Sequence, residues 1–276
     1  MTKTQAELDQ VKKIEKEFHE QYRVDLAESS FFIVDVEEVR RTLLQPCYTT
    51  GNDRYSDNKM AFHQIIQRDG GWAEKVVLDY ACGEGTWATY FALTGASKGI
   101  GFDLAESGVR LGCQRLVRQG LTDRVKLQVA DATNLPYRDG LFDIVIGTAV
   151  IHHVIKYPNV FKELHRVMKP GAKAYFLEGL ADFPLFRLWW AIRGDVPSGD
   201  VPIFAKEIRA KTGMFSTVQI SGDTLVYSIK RLIHRQNMGP LRRFVLRASK
   251  KVDDALFVLC PALRRWGCFS YLVFTK

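Results

Sequence analysis

Apolar residues are distributed along this chain in two rhythms. Short unbroken apolar runs closed by glycine, aspartate or proline alternate with segments in which apolar positions return every three to four residues. Val76-Val77-Leu78-Asp79-Tyr80 leads into a glycine turn; residues 99–103 end on Asp103, residues 125–130 lead to Asp131, and residues 141–147 and 172–178 follow the same plan. Runs without polar interruption suit parallel strands covered on both faces, and strands alternating with helical periods predict an α/β fold with one mostly parallel sheet. Two further strands are expected at residues 215–220 and 269–275.

The first part of the chain reads as helices. Leu8, Val11, Ile14, Phe18 and Tyr22 recur at helical spacing with charges between them, so residues 5–22 predict an amphipathic helix. Helical pattern returns over residues 35–44 and 58–67, with a polar loop at 47–58 between them. A helix opening at Pro158-Asn159 should bury Val160, Phe161, Leu164, Val167 and Met168 and leave His165 and Arg166 at the surface. Phe183, Phe186, Trp189 and Trp190 form an aromatic stripe, followed at residues 193–202 by a stretch punctuated with Gly and Pro. The stripe reads either as core or as the wall of a lipophilic pocket.

The candidate chemistry gathers where the strands end. Gly83 and Gly85 let the chain turn tightly after the first strand and bring its backbone close to a ligand. Asp103, eighteen residues beyond Gly85, ends the second strand, where a carboxylate can accept hydrogen bonds from both hydroxyls of a ribose. Asp131 ends the third strand, near the position of an adenine amine. A dinucleotide site would share these acids, but its fingerprint needs glycines where Ala81 and Thr86 stand.

Taken in order and at this spacing, the blocks over residues 76–180 resemble the class I S-adenosylmethionine-dependent methyltransferases, in particular the small-molecule group. The resemblance implies a Rossmann-like fold with a seven-stranded, mostly parallel sheet, helices on both faces, an N-terminal helical lid and a helical insertion before the last strand. It implies S-adenosyl-L-methionine as cofactor and S-adenosyl-L-homocysteine as product. The cofactor residues it points to are Asp79, Tyr80, Ala81, Cys82, Gly83, Gly85, Asp103, Leu104, Asp131, Ala132 and Thr148. Asp79 has a second reading as the cap of the following helix. His152 and His153, after the fourth strand, are the candidate bases for methylating a hydroxyl. Tyr55, His63, Trp189 and Trp190 are candidates for the acceptor pocket. No cluster has metal-ligand spacing, and no metal is expected.

Charge changes the picture only at one end. The net charge is +8, yet residues 206–276 hold fourteen Lys and Arg against four Asp and Glu, so the remainder is slightly acidic. The basic residues alternate with apolar ones over residues 230–266 at helical spacing, in the stretch where the minimal fold has a short hairpin. The reading is either an ordinary solvated face or a peripheral contact with a membrane or an anionic amphiphilic substrate. Nucleic acid is disfavoured, because exposed aromatics for base stacking are few and the motif of amino-methylating nucleic-acid enzymes is absent. Five cysteines at irregular spacing predict neither a disulfide framework nor a zinc site, which suits a cytoplasmic protein, and no signal peptide or membrane span is evident.

The expected organisation is a lid over residues 1–70, a core of residues 71–222 and 268–276, and a basic helical appendage at 223–267. The expected activity is methyl transfer to a small or lipid-linked acceptor, at a hydroxyl first. The alternatives are transfer to nitrogen or carbon, for example on a prenyl diphosphate, and a non-catalytic scaffold that binds cofactor or membrane.

Overall fold

The computed structural model describes residues 4–27, 34–50, 55–193, 201–234 and 238–276. The helices α1 (Gln5–Ala27), α2 (Val36–Leu43), α3 (Cys47–Thr50) and α4 (Ser56–Arg68) precede the first strand. Then follow β1 (Val76–Tyr80), α5 (Thr86–Leu93), β2 (Lys98–Asp103), α6 (Glu106–Gln119), β3 (Val125–Val129), β4 (Phe142–Thr148), α7 (Ile151–Val154), α8 (Val160–Val167) and β5 (Met168–Gly179). The last part holds α9 (Pro184–Arg193), α10 (Ala205–Lys211), β6 (Thr217–Gly222), α11 (Lys230–Ile233), α12 (Pro240–Leu259) and β7 (Phe269–Thr275).

The strands form one seven-stranded sheet in the order β3-β2-β1-β4-β5-β7-β6. β7 runs antiparallel to both neighbours and the others are parallel, the arrangement of a Rossmann-like methyltransferase fold. The order reverses between β1 and β4, which makes the carboxyl ends of these strands the place for a ligand.

Side chains alternate across the sheet as the period of a strand requires. Leu78, Tyr80, Val145, Phe176, Leu272 and Phe274 pack on one face with Phe161, Leu164 and Val167 of α8. Val77, Ile144, Ile146, Tyr175, Tyr271 and Val273 pack on the other with Val39, Phe62, Ile66, Tyr90 and Phe91. Each large apolar side chain buried in this way stabilises the fold by about 1.5–3 kcal/mol relative to exposure.

The expected lid is smaller than residues 1–70. Among the described residues of this stretch, those that line the cavity at the carboxyl ends of the strands all come from α1, whereas Val39 of α2 and Phe62 and Ile66 of α4 belong to the second core. Hydrophobic spacing identifies these helices as amphipathic but not the surface each one covers. Arg166 differs from its expected surface role: its guanidinium bonds the carbonyls of Leu135 and Tyr137 and the carboxylates of Glu163 and Asp139, pinning the loop before β4.

Residues 223–267 leave the sheet at Gly222 and return at Gly267. There the two backbones nearly touch: a Cβ on Gly222 would stand 2.6 Å from the Gly267 Cα, and one on Gly267 would stand 2.4 Å from the Gly222 Cα. No other residue fits at this crossing. The appendage is then locked to α4, because Lys230 is fully buried and bonds both oxygens of Asp57, at 3.1 and 2.9 Å, and the side-chain oxygen of Asn58. Lys230 therefore does not belong to the basic surface that the sequence pattern suggested; its charge is satisfied internally, as a buried ammonium must be.

Candidate functional site

The local chemistry of the turn after β1 shapes the floor of the site. Gly85 sits at φ 70° immediately before α5, and a Cβ there would stand 2.5 Å from Leu127, so glycine meets both a backbone and a packing demand. Ala81 and Ala149 also adopt left-handed conformations, with φ of 57° and 55°. Each costs an L-residue about 1 kcal/mol or more and both lie at the carboxyl ends of central strands, so strain is concentrated at the cleft.

Asp103 closes β2 and organises the turn. One carboxylate oxygen accepts the Gly83 N–H at 2.7 Å and the other the Ala105 N–H at 2.9 Å. A carboxylate has about four acceptor positions, so Asp103 retains capacity for a pair of hydroxyls. Asp131 accepts from the backbone N–H and hydroxyl of Thr133 at 2.9 and 2.8 Å, and its second oxygen faces Lys12 Nζ at 2.8 Å. Burial pushes its carboxyl up, but Lys12 and Thr133 outweigh this and hold it below the usual range.

Between these acids lies a cavity of about 510 Å³. Tyr80, Ala81, Asp103, Leu104, Asp131, Ala132, Thr148, His152 and His153 line it, all of which the sequence reading had selected. Phe102, Ala105, Ala130, Ala149, Val150, Val154 and Tyr157 complete the walls, and Lys12, Glu15, Lys16, Phe18 and His19 of α1 form the roof.

Four of the expected cofactor residues stand behind the lining. Asp79 is nearly fully buried and accepts the Ala88 N–H at 3.0 Å, capping α5; burial pushes its carboxyl up to about 7. Cys82 packs its sulfur against Gly101 of β2, and Gly83 and Gly85 build the turn.

The acceptor-side expectations fare differently. His63 is not brought to the cavity: it is buried on the opposite side of the sheet, with ring centroids 4.7 Å from Trp87 and 5.3 Å from Phe91, and Nδ1 bonded to the Lys59 carbonyl at 3.0 Å. Its helix turns the same face as Phe62 and Ile66 to the core, and burial pulls the imidazole down to about 4. Tyr55 is also absent from the lining; its ring lies 5.1 Å from Phe269 at the start of β7. Trp189 and Trp190 fall on α9, but their side chains, like that of Phe186 and all of residues 194–200, lie outside the described residues.

His152 is held by an acid outside the candidate set that the sequence offers. Glu178, near the end of β5, is fully buried; Oε1 accepts the backbone N–H groups of Val150 at 2.6 Å and Ile151 at 2.5 Å, and Oε2 meets Nδ1 of His152 at 2.9 Å. Two backbone N–H groups already donate to Oε1; with Oε2 as acceptor as well, Nδ1 would carry the proton and Nε2 would be the basic nitrogen. The signal was present, since an acid ending a buried strand was the reason for selecting Asp103.

His153 lies against His152 with ring centroids 4.2 Å apart and planes tilted by 38°, and 5.2 Å from His19, while its Nδ1 is 3.7 Å from Glu15 of α1. Glu15 also accepts from the Tyr157 hydroxyl at 2.5 Å and from Lys156. Burial raises the Glu15 carboxyl, but these partners prevail and keep it low. Farther along α1, Glu20 accepts the backbone N–H groups of Glu106 at 2.5 Å and Ser107 at 2.8 Å, capping α6. Lys12, Glu15 and Glu20 thus fasten the roof to three different elements.

Comparison with known proteins agrees with this geometry. A family model described as a methyltransferase domain matches residues 78–176. The demethylmenaquinone methyltransferase of Lactiplantibacillus plantarum is 33% identical over 117 residues, 41% of this chain and 49% of that protein. The norajmaline N-methyltransferase of Rauvolfia serpentina is 33% identical over 124 residues, 45% of this chain and 42% of that protein. The chain thus spans about half the length of the curated relatives it matches, or less. Among solved structures, a geranyl diphosphate C-methyltransferase from Streptomyces coelicolor, in complex with Mg2+, geranyl diphosphate and S-adenosyl-L-homocysteine, covers 100% of this chain and 98% of its own at a TM-score of 0.57 and 14% identity, a likeness of fold. Strand order, the acid at the end of β2 and the family match converge, and residues 78–176 are similar in sequence and arrangement to methyltransferase domains.

Proposed function

We propose that this protein transfers a methyl group from S-adenosyl-L-methionine to a hydroxyl of a small, largely apolar acceptor, with His152 as general base. The cavity fits the cofactor on its own chemistry: Asp103 has acceptor capacity for a ribose, Asp131 has it for an amine, and Leu104, Phe102 and Ala132 offer apolar walls for a ring between them. When bound, the cofactor supplies a methyl already activated by its positive sulfur, so the protein's task is alignment, exclusion of water and removal of one proton.

This chain's residues divide that task. As the acceptor oxygen takes the methyl, the hydroxyl proton would pass to His152 Nε2. Glu178 holds the Nδ1 proton in place and balances the imidazolium that forms, in the manner of an acid behind a catalytic histidine. Glu178 acts through His152 and is a positioning residue. The roof of α1 covers the site.

The observation that carries this reading is His152 on the wall of the cavity that contains Asp103 and Asp131, with the buried Glu178 behind it at 2.9 Å. Apolar residues predominate among the remaining walls, which suits an apolar acceptor. Calorimetric titration with S-adenosyl-L-homocysteine tests the cofactor half: binding is expected for the wild type and at least about a tenfold loss for Asp103→Ala, which forfeits charged hydrogen bonds. Equal affinity of the two proteins would remove the ribose assignment. A panel of phenols, aliphatic alcohols and amines then tests the acceptor half; turnover of amines alone would overturn the hydroxyl assignment.

A further inference from the structure

Helix α12 presents a surface that the cleft does not use. Its inner face is Leu246, Ser249, Asp253 and Phe257, and the rotation of the helix is fixed by Asp253. That buried carboxylate accepts the backbone N–H groups of Leu225 at 2.8 Å, Val226 at 2.8 Å and Tyr227 at 3.0 Å. At about 100° per residue, Leu241, Phe244, Ala248, Val252, Ala255 and Leu259 then form a second stripe, turned more than a third of a revolution away from the first.

This second stripe faces outward. Leu241, Phe244 and Leu259 are 74%, 68% and 83% exposed, and Val258 beside them is 78% exposed. The exposed Arg247 and Lys251 border it along one side. Beyond the helix, the 3-10 turn Pro261–Trp266 adds the exposed Arg264 and Arg265, with the Arg265 guanidinium 4.3 Å over the exposed ring of Trp266. The buried face already satisfies the packing of α12, so the outer stripe owes nothing to folding.

We propose that α12 and the turn after it dock this protein, with the helix lying in the plane of the interface, on a membrane surface rich in anionic lipid. An exposed apolar stripe about 27 Å long enters the boundary between headgroups and acyl chains. Flanking cations meet lipid phosphates, and a tryptophan at one end sits at the depth that such rings favour. Charge argues against a second copy as the occupant. A two-fold contact is made by the same patch on both partners, which sets the Arg247 and Lys251 of one chain against those of the other.

Docking also has a direction. Phe269, where the appendage rejoins the sheet, pairs with Gly179 at the carboxyl end of β5, so the appendage stands at the same edge of the sheet as the cavity. The proposal rests on α12 alone and not on the chemistry assigned to the cleft.

Flotation of the full-length chain with vesicles tests it. Binding is expected to vesicles of phosphatidylcholine containing phosphatidylglycerol, to weaken as salt is raised, and to be far weaker to phosphatidylcholine alone. The pairs Phe244→Gln with Leu259→Gln and Arg247→Glu with Lys251→Glu should each lower the partition coefficient at least about tenfold. Thermal midpoint and affinity for S-adenosyl-L-homocysteine should stay at wild-type values, because these side chains are exposed and lie outside the cavity. Wild-type binding by both variant pairs, or no preference for the anionic vesicles, overturns the proposal. So does a dimer in sedimentation that the Phe244→Gln, Leu259→Gln pair dissociates, since the stripe would then be a self-association face.

Discussion

At the scale of single residues, the molecule turns on acids placed at or just beyond the carboxyl ends of parallel strands. Asp103 and Asp131 were legible because a carboxylate at the end of an apolar run must be held by donors or by a ligand, and both line the cavity. Glu178 obeys the same rule and carries an equally specific role, with three donors on its two oxygens. His63 and Tyr55 were misleading for the opposite reason: a polar ring on an amphipathic helix or in a loop says nothing about which way it points, and His63 turned into an aromatic core. The Glu178 reading predicts that Glu178→Gln lowers kcat by about a hundredfold with cofactor affinity unchanged, since an amide still accepts from Val150 and Ile151 but cannot balance an imidazolium. His152→Ala should lose about as much, and the double variant hardly more, because the two act as a unit. The acidic limb of the pH–rate profile, where a general base becomes protonated, should persist in Glu178→Asp; additive losses in the double variant would separate the two residues.

At the scale of elements, the strands were legible to within a residue or two except at their irregular ends. β5 begins at Met168 rather than at the expected residue 172, because Met168 pairs with Phe142 before a register shift carries the chain past Lys169-Pro170-Gly171. β6 begins two residues late, and α1 continues to Ala27, beyond the apolar spacing that suggested an end near Tyr22. The partners of each helix were not legible, since Glu20 of α1 caps a helix more than eighty residues away. The same holds for α12, whose orientation depends on Asp253 reaching the amides of residues 225–227. Asp253→Ala should therefore leave three buried or half-buried donors without their acceptor and cost about 3 kcal/mol, with the loss confined to the appendage. Hydrogen exchange should accelerate first over residues 225–259 while β1, β2 and β4 stay protected; uniform acceleration across the sheet would contradict a local role.

At the scale of the whole molecule, burial of titratable groups sets how stability depends on pH. His63 is held near 4 in the folded protein by burial, against an ordinary value of 6.5, so the folded state binds fewer protons between these values. Its contribution is present above pH 6.5 and is lost as pH falls toward 4, to a total on the order of 3 kcal/mol. Asp79 works in the other direction, raised by burial to about 7, and costs stability as pH rises from 3.8 through 7. Urea midpoints measured from pH 4 to 7.5 should show His63→Phe losing less stability on acidification than the wild type; parallel curves would mean that the imidazole is not kept neutral by the fold. The strands were readable from the chain because each one reports its own burial, whereas their order in the sheet, the packing of the appendage and the internal Lys230–Asp57 pair were not, because no partner marks the other in sequence. The crossing of Gly222 and Gly267 bears on how such a chain can vary. Strands β6 and β7 pair through six rows and meet at that crossing whatever number of residues lies beyond it, and the entropy of closing a loop grows only with the logarithm of its length. The segment beyond the two glycines is in effect a graft: provided that a buried cation still meets Asp57, it can lengthen, shorten or change its outer surface while the strands beneath His152 and Asp103 keep their register, so that the outer surface and the cleft are free to diverge independently.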